Sequence, residues 1–252
     1  MINRRIIWLV YLLGVFIAVG LWVETPEPSG FSIIPNYAPD TLQQPVIQSE
    51  FISGGLTKEV HSATAVELAD GTIGVFWYAG TREGSADVAI FSSFLHFQDE
   101  NQNENQNDIQ NLAAWSEIRQ VTDRSQCMDG LHRHIRKLGN PLVLDHNDTL
   151  WLFYVTVSVG GWAGSSINLI QSSDGGKSWG SPRRLITSPF INISTLVKER
   201  AVITEDGSIL LPVYHEFIGK FSELLHLNSQ GEVIDKYRIS HGRQAIQPVV
   251  LP

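Results

Sequence analysis

The sequence predicts an all-β fold, a β-propeller of repeated four-stranded blades, on three observations. Three stretches share one layout: an apolar run, a turn carrying Asp70-Gly71, Asn147-Asp148 or Asp206-Gly207, and a second apolar run ending near an aromatic residue. Apolar runs of this length around such turns form β-hairpins. A third apolar run follows each hairpin, and the first two units continue into a fourth that opens at Trp115 or Trp179. The unit also recurs at a steady period, with Trp179 lying 64 positions after Trp115 and Asp206 lying 58 after Asp148. A sandwich with Greek-key crossings is the alternative, which the regular order of turn and strand disfavours.

Ahead of the repeats, Arg4 and Arg5 precede an uncharged apolar run from Ile6 to Val23. The length of that run predicts one transmembrane helix within 1–23, and the basic flank predicts a cytoplasmic N-terminus. No small-residue cleavage pattern follows, so an uncleaved membrane anchor is expected, with secretion after signal cleavage as the alternative. Either reading puts the rest of the chain outside the cytoplasm, in the periplasm or the extracellular space. The proline-containing stretch 24–44 reads as a linker to a domain at 45–252.

Composition bounds the function. Of 252 residues, 43% are hydrophobic and 17% charged, enough to bury a sizeable core. The formal net charge of −8 and the lack of any basic run argue against a nucleic-acid partner. Cys127 is the lone cysteine, so there is no internal disulfide, and the sequence calls for no metal and no cofactor. His132 and His134 read as part of a solvated loop. The polar, low-complexity insert that lengthens the first unit reads as a surface loop.

Within the second unit, Ser172, Asp174, Gly176 and Trp179 spell Ser-x-Asp-x-Gly-x-x-Trp, an Asp-box. With the tandem hairpins it resembles the sialidase (neuraminidase) superfamily, and more closely the bacterial BNR-repeat proteins similar to exo-α-sialidases. The resemblance runs from about Gln48 to Pro252. It implies a six-bladed sialidase-like propeller, of which roughly three and a half blades of about 60 residues fit here. A fourth unit opens near Arg243, so the chain reads as part of a ring. An Asp-box also occurs in propellers that are not sialidases, so for the reaction the motif says less than for the fold.

Propeller geometry sorts the candidate residues. Alternating strand directions put the Asp-turns of the hairpins and the Asp-box loop on one face of the disc. Asp174 is then expected to accept hydrogen bonds from its own turn, with Trp179 packed between strands. The opposite face collects His61, Tyr78, Arg82, Glu83 and Asp87 from the first unit and Arg136, Asn140, Tyr154 and Trp162 from the second. Glu199, Arg200, Tyr214, His215 and Glu216 come from the third, and Arg243 and Gln247 from the fourth. Arginines grip carboxylates and aromatic rings cover sugar C–H surfaces, so the partner expected is a carbohydrate.

By the resemblance, Arg82 is the candidate contact to an anionic sugar, the other reading being a surface ion pair with Glu83 or Asp87. Glu83 and Asp87 compete for the role of general acid. The resemblance favours Asp87, while a place at the mouth of a strand disfavours it. Asn140-Pro141 fits either a structural turn or a hydroxyl contact. His61 stands where the family carries an arginine. The nucleophilic tyrosine, its glutamate and further arginines belong to later blades in the family. The expectation is therefore an exported sialidase-like glycoside hydrolase for acidic sugars. A non-catalytic carbohydrate-binding propeller and a hydrolase or lyase for another acidic polysaccharide are the alternatives.

Overall fold

A computed structural model describes residues 4–22, 49–97, 113–241 and 244–250. The linker at 24–44, the polar insert and Arg243 lie outside the described residues. The chain divides into an N-terminal unit, Met1–Gly30, and a second unit, Phe31–Pro252.

The N-terminal unit holds one helix, α1 (Arg4–Trp22). Among the described residues no helix is long and apolar enough to cross a membrane. The expected span runs on to Val23, which lies outside the described residues.

Among the described residues the second unit is all-β apart from one short α-helix and a 3-10 turn, Trp162–Gly164. Its elements are β1 (Glu59–Glu67), β2 (Ile73–Gly80), β3 (Ala89–Phe97), β4 (Ala113–Trp115), β5 (Arg119–Asp123), α2 (Arg124–Leu131), β6 (Lys137–His146), β7 (Thr149–Val157) and β8 (Ser165–Ser172). Then follow β9 (Arg183–Arg184), β10 (Leu196–Val197), β11 (Val202–Ile203), β12 (Ile209–His215), β13 (Phe221–Leu227) and β14 (Val233–Arg238). They form three antiparallel sheets in chain order, β1-β2-β3-β4 with β5 also on β3, then β6-β7-β8-β9, then β10-β12-β13-β14 with β11 also on β12. Among the described residues none of the sheets closes on itself. Each sheet is one blade.

The run from Leu150 to Val155 explains how the blades stack. Successive side chains of a strand point to opposite faces. Leu150, Leu152 and Tyr154 pack with Phe76, Tyr78 and Ile90 of the first blade. Trp151, Phe153 and Val155 pack with Ile209, Leu211 and Val213 of the third. A strand covered on both faces needs no polar alternation, and β7 has none. Burying one such side chain contributes about 1.5–3 kcal/mol.

Two details depart from the sequence expectation. The outer strand of the first blade is split into β4 and β5, and the innermost strand of the third into β10 and β11. Helix α2 then leads from the first blade to the second, opened by a capping box in which Asp123 accepts from the Gln126 amide and Gln126 from the Asp123 amide.

The Asp-box turn is held by its own groups. Asp174 accepts from the Ser172 hydroxyl at 2.7 Å and from the amide and hydroxyl of Ser178 at 2.9 and 2.6 Å. Ser178 first, then Ser172, hold its carboxyl well below the ordinary carboxylate range. Gly176 sits at φ +83°, where a Cβ would meet Phe94 Cζ at 2.5 Å. Trp179 packs edge-on against Phe76, with centroids 5.7 Å apart.

Candidate functional site

The two ends of the blades differ in chemistry. At one end Asp70, Asp148 and Gly175 share a shallow cleft of about 240 Å³, which brings two hairpin turns and the Asp-box loop to the same face. His146 Nε2 reaches the Gly207 carbonyl at 2.8 Å, so the third hairpin turn lies there too.

At the other end, the innermost strand of each blade loses register. The pairing shifts between His61 and Thr64 in β1 and between Gly139 and Leu142 in β6. In the third blade residues 198–201 separate β10 from β11 while both pair with β12. Such bulges leave residues unpaired and re-aim their side chains. Ser62 at φ 47° and Asn140 at φ 45° occupy the first two bulges. Asparagine tolerates this left-handed region better than most residues.

These bulged residues join the blades. The Ser62 hydroxyl donates to Asn140 Oδ1 at 3.2 Å, and Asn140 Nδ2 donates to the Tyr214 hydroxyl at 3.3 Å. Ser62 also reaches the Tyr78 hydroxyl, and Gln247 that of Tyr214. Burial, then the carboxylates of Glu83 for Tyr78 and Glu216 for Tyr214, push both phenols up to about 12. Both tyrosines therefore remain neutral hydrogen-bonding groups at physiological pH.

Charged groups surround this relay. His61 stacks on Tyr78, with centroids 5.6 Å apart, and its Nε2 lies 3.4 Å from Glu59 Oε2. The same carboxylate oxygen accepts from the Glu83 amide at 2.9 Å, fixing the loop after β2. Lys137, the first residue of β6, holds its ammonium 3.7 Å from the centroid of the Trp162 ring. That ring lies over Gly139, where a Cβ would meet it at 2.7 Å. Burial lowers the Lys137 pKa, against the opposing pull of Glu83 of the first blade and Glu216 of the third, so groups from three blades meet around it.

The structure thus gathers His61, Tyr78, Glu83, Asn140, Trp162, Tyr214 and Glu216, and adds Lys137, Ser62 and Glu59. Arg82 is exposed on the same loop as Glu83. Arg136 donates to the Gly160 carbonyl at 3.1 Å and so braces the loop that carries Trp162. Gln247 accepts from Lys198 at 3.1 Å. Glu216 donates its amide to Ser194 Oγ at 2.8 Å.

Two candidates are engaged elsewhere. Asp87 accepts from the hydroxyl and amide of Thr81, which close its loop and hold its carboxyl below the ordinary range. His215 points to the opposite side of β12 from Tyr214, stacks on Phe221 and meets Glu223 Oε2 at 2.6 Å. The Asp-box residues Ser172, Asp174, Gly176 and Trp179 belong to the far end of the blade.

Stacked four-stranded antiparallel blades, an Asp-box turn at one end and a polar convergence at the other define a β-propeller of the sialidase-like class. The chain belongs to the BNR repeat-like domain family, whose model matches residues 71–252. Among solved structures it is similar to a Hadza microbial sialidase, at 15% identity over 70% of this chain and 37% of that one, with a TM-score of 0.53. It is similar to Trypanosoma rangeli sialidase in complex with sialic acid, at 14% identity over 89% and 37% of the two chains, TM-score 0.53. A family 117 glycoside hydrolase from Zobellia galactanivorans is similar at 9% identity over 81% and 59%, TM-score 0.50. The chain spans less than two thirds of the length of each of these structures. At these identities the likeness speaks for the fold alone. No curated protein matches the sequence.

Proposed function

We propose that the end of the blades opposite the Asp-box binds an acidic sugar, as part of a sialidase-like glycoside hydrolase. The single observation that carries this reading is the hydrogen-bonded relay Ser62–Asn140–Tyr214 at the strand bulges, ringed by charged groups from three blades. Neutral tyrosine and asparagine groups suit sugar hydroxyls, Trp162 suits a sugar face, and the cations suit a carboxylate. Arg82 and His61 are the flanking contacts. Glu83 is the preferred candidate acid of the two, because Thr81 occupies a carboxylate oxygen of Asp87. The full six-bladed ring is part of this proposal.

One observation favours binding without hydrolysis: the hydroxyl and amide of Thr81 hold the Asp87 carboxyl below its ordinary value, whereas a general acid for glycoside cleavage needs a raised carboxyl beside the leaving oxygen. The test is to incubate the full chain with a fluorogenic sialoside and, in parallel, to titrate it with sialyllactose and lactose. Fluorophore release supports the hydrolase. Binding of sialyllactose without release supports the binding reading. Failure to bind sialyllactose in preference to lactose overturns both.

A further inference from the structure

Lys137 is half-buried at the convergence of three blades, yet among the described residues it donates to no acceptor and forms no ion pair. Its stem runs past Gly84 of the first blade, where a Cβ would meet Lys137 Cδ at 3.3 Å and Nζ at 3.6 Å. Gly84 is thus the gap through which the ammonium reaches from the second blade towards the first. On its other side the ammonium rests on the face of Trp162, an attraction that leaves the ammonium N–H groups directed away from the ring free to donate. The other cations are less well placed for this task. Arg136 is committed to Gly160, Lys198 to Gln247, and Arg82 is exposed on a loop.

A half-buried ammonium that makes no hydrogen bond has N–H groups left to receive an anion. An apolar ring directly beside it fits the body of the molecule that carries the anion. We infer that Lys137 and Trp162 form the subsite that takes the carboxylate of an acidic pyranose, with the ammonium on the carboxylate and the indole against the sugar ring. This inference rests on the acidic-sugar reading of the face and assigns its specificity to a lysine. Burial lowers the pKa of the Lys137 ammonium, Glu83 and Glu216 oppose that shift, and a neutral sugar leaves the ammonium without a hydrogen-bond acceptor.

The experiment measures the affinity of the full chain for sialyllactose and for lactose by calorimetry, in wild type, Lys137→Met, Lys137→Arg and Trp162→Ala, with far-UV circular dichroism to verify the fold. A hydrogen bond to a charged group is worth a factor of roughly 10 to 100 in affinity. Lys137→Met is expected to weaken sialyllactose by that factor, to leave lactose unchanged and to flatten the salt dependence of sialyllactose binding. Lys137→Arg retains the preference, and Trp162→Ala weakens both sugars. If folded Lys137→Met still prefers sialyllactose as strongly as wild type, the subsite is wrong while the acidic-sugar reading stands. If wild type itself shows no preference, the reading of the whole face is wrong and the subsite falls with it.

Discussion

Replacing Asn140 separates the two roles that the bulge of β6 gives it. Its side chain accepts from Ser62 and donates to Tyr214, and its backbone sits at φ 45° with the residue almost wholly buried. Two hydrogen bonds contribute about 1 kcal/mol each, and removing them leaves the buried Tyr214 hydroxyl with Gln247 alone. Alanine in a left-handed conformation adds about 1 kcal/mol, which glycine does not incur. Asn140→Ala is therefore expected to cost about 2–4 kcal/mol and Asn140→Gly about 1 kcal/mol less. Urea unfolding followed by tryptophan fluorescence measures both, at unchanged m-value. Equal losses for the two variants would refute the backbone argument. Losses under about 0.5 kcal/mol for both would refute the claim that this relay ties the blades together.

Three further outcomes follow. Gly176→Ala puts a Cβ into the Phe94 ring at a positive φ, and is expected to destabilise by about 2–4 kcal/mol, seen as a lower melting temperature. Asp174→Ala is expected to lower the melting temperature at neutral pH. Because the folded carboxyl titrates below its ordinary 3.8, its contribution is complete above that pH and fades as pH falls through the folded value, so the gap to wild type narrows in acid. Burial alone would raise the Glu223 carboxyl, but the His215 hydrogen bond, then Lys236 and Arg238, outweigh burial and hold it low. His215→Ala leaves that buried carboxylate with Lys236 at 3.6 Å, at an expected cost of about 1–3 kcal/mol in urea unfolding.

The blades were legible in the sequence because hairpins are local. An Asp-Gly turn between two apolar runs names its own pairing, and the Asp-box records its own hydrogen bonds in the residues Ser172, Asp174 and Ser178. The register shifts were harder to read, since a bulge depends on how an innermost strand meets its neighbours. Pro141 was one visible signal, because proline cannot donate to a ladder in mid-strand. Ser62 and Ala63 carry no such mark. Helix α2 had a readable signature in Asp123 and Gln126, three residues apart. Lys137 was missed because a lysine at the start of a strand reads as surface, and only the fold brings Gly84 and Trp162 against it. Asp87 and His215 looked like site residues by position along the chain. In the structure Asp87 is held by Thr81 of the same loop and His215 by Glu223 on the adjacent strand.

The account rests on the claim that the sugar-binding chemistry lies at the end of the blades opposite the Asp-box. Indole N–H resonances of the labelled full chain report on both ends at once, since Trp162 lies at one and Trp179 at the other. On titration with sialyllactose the Trp162 resonance is expected to shift in a saturable way while Trp179 stays in place. A saturable shift of Trp179 with Trp162 unmoved would contradict the account.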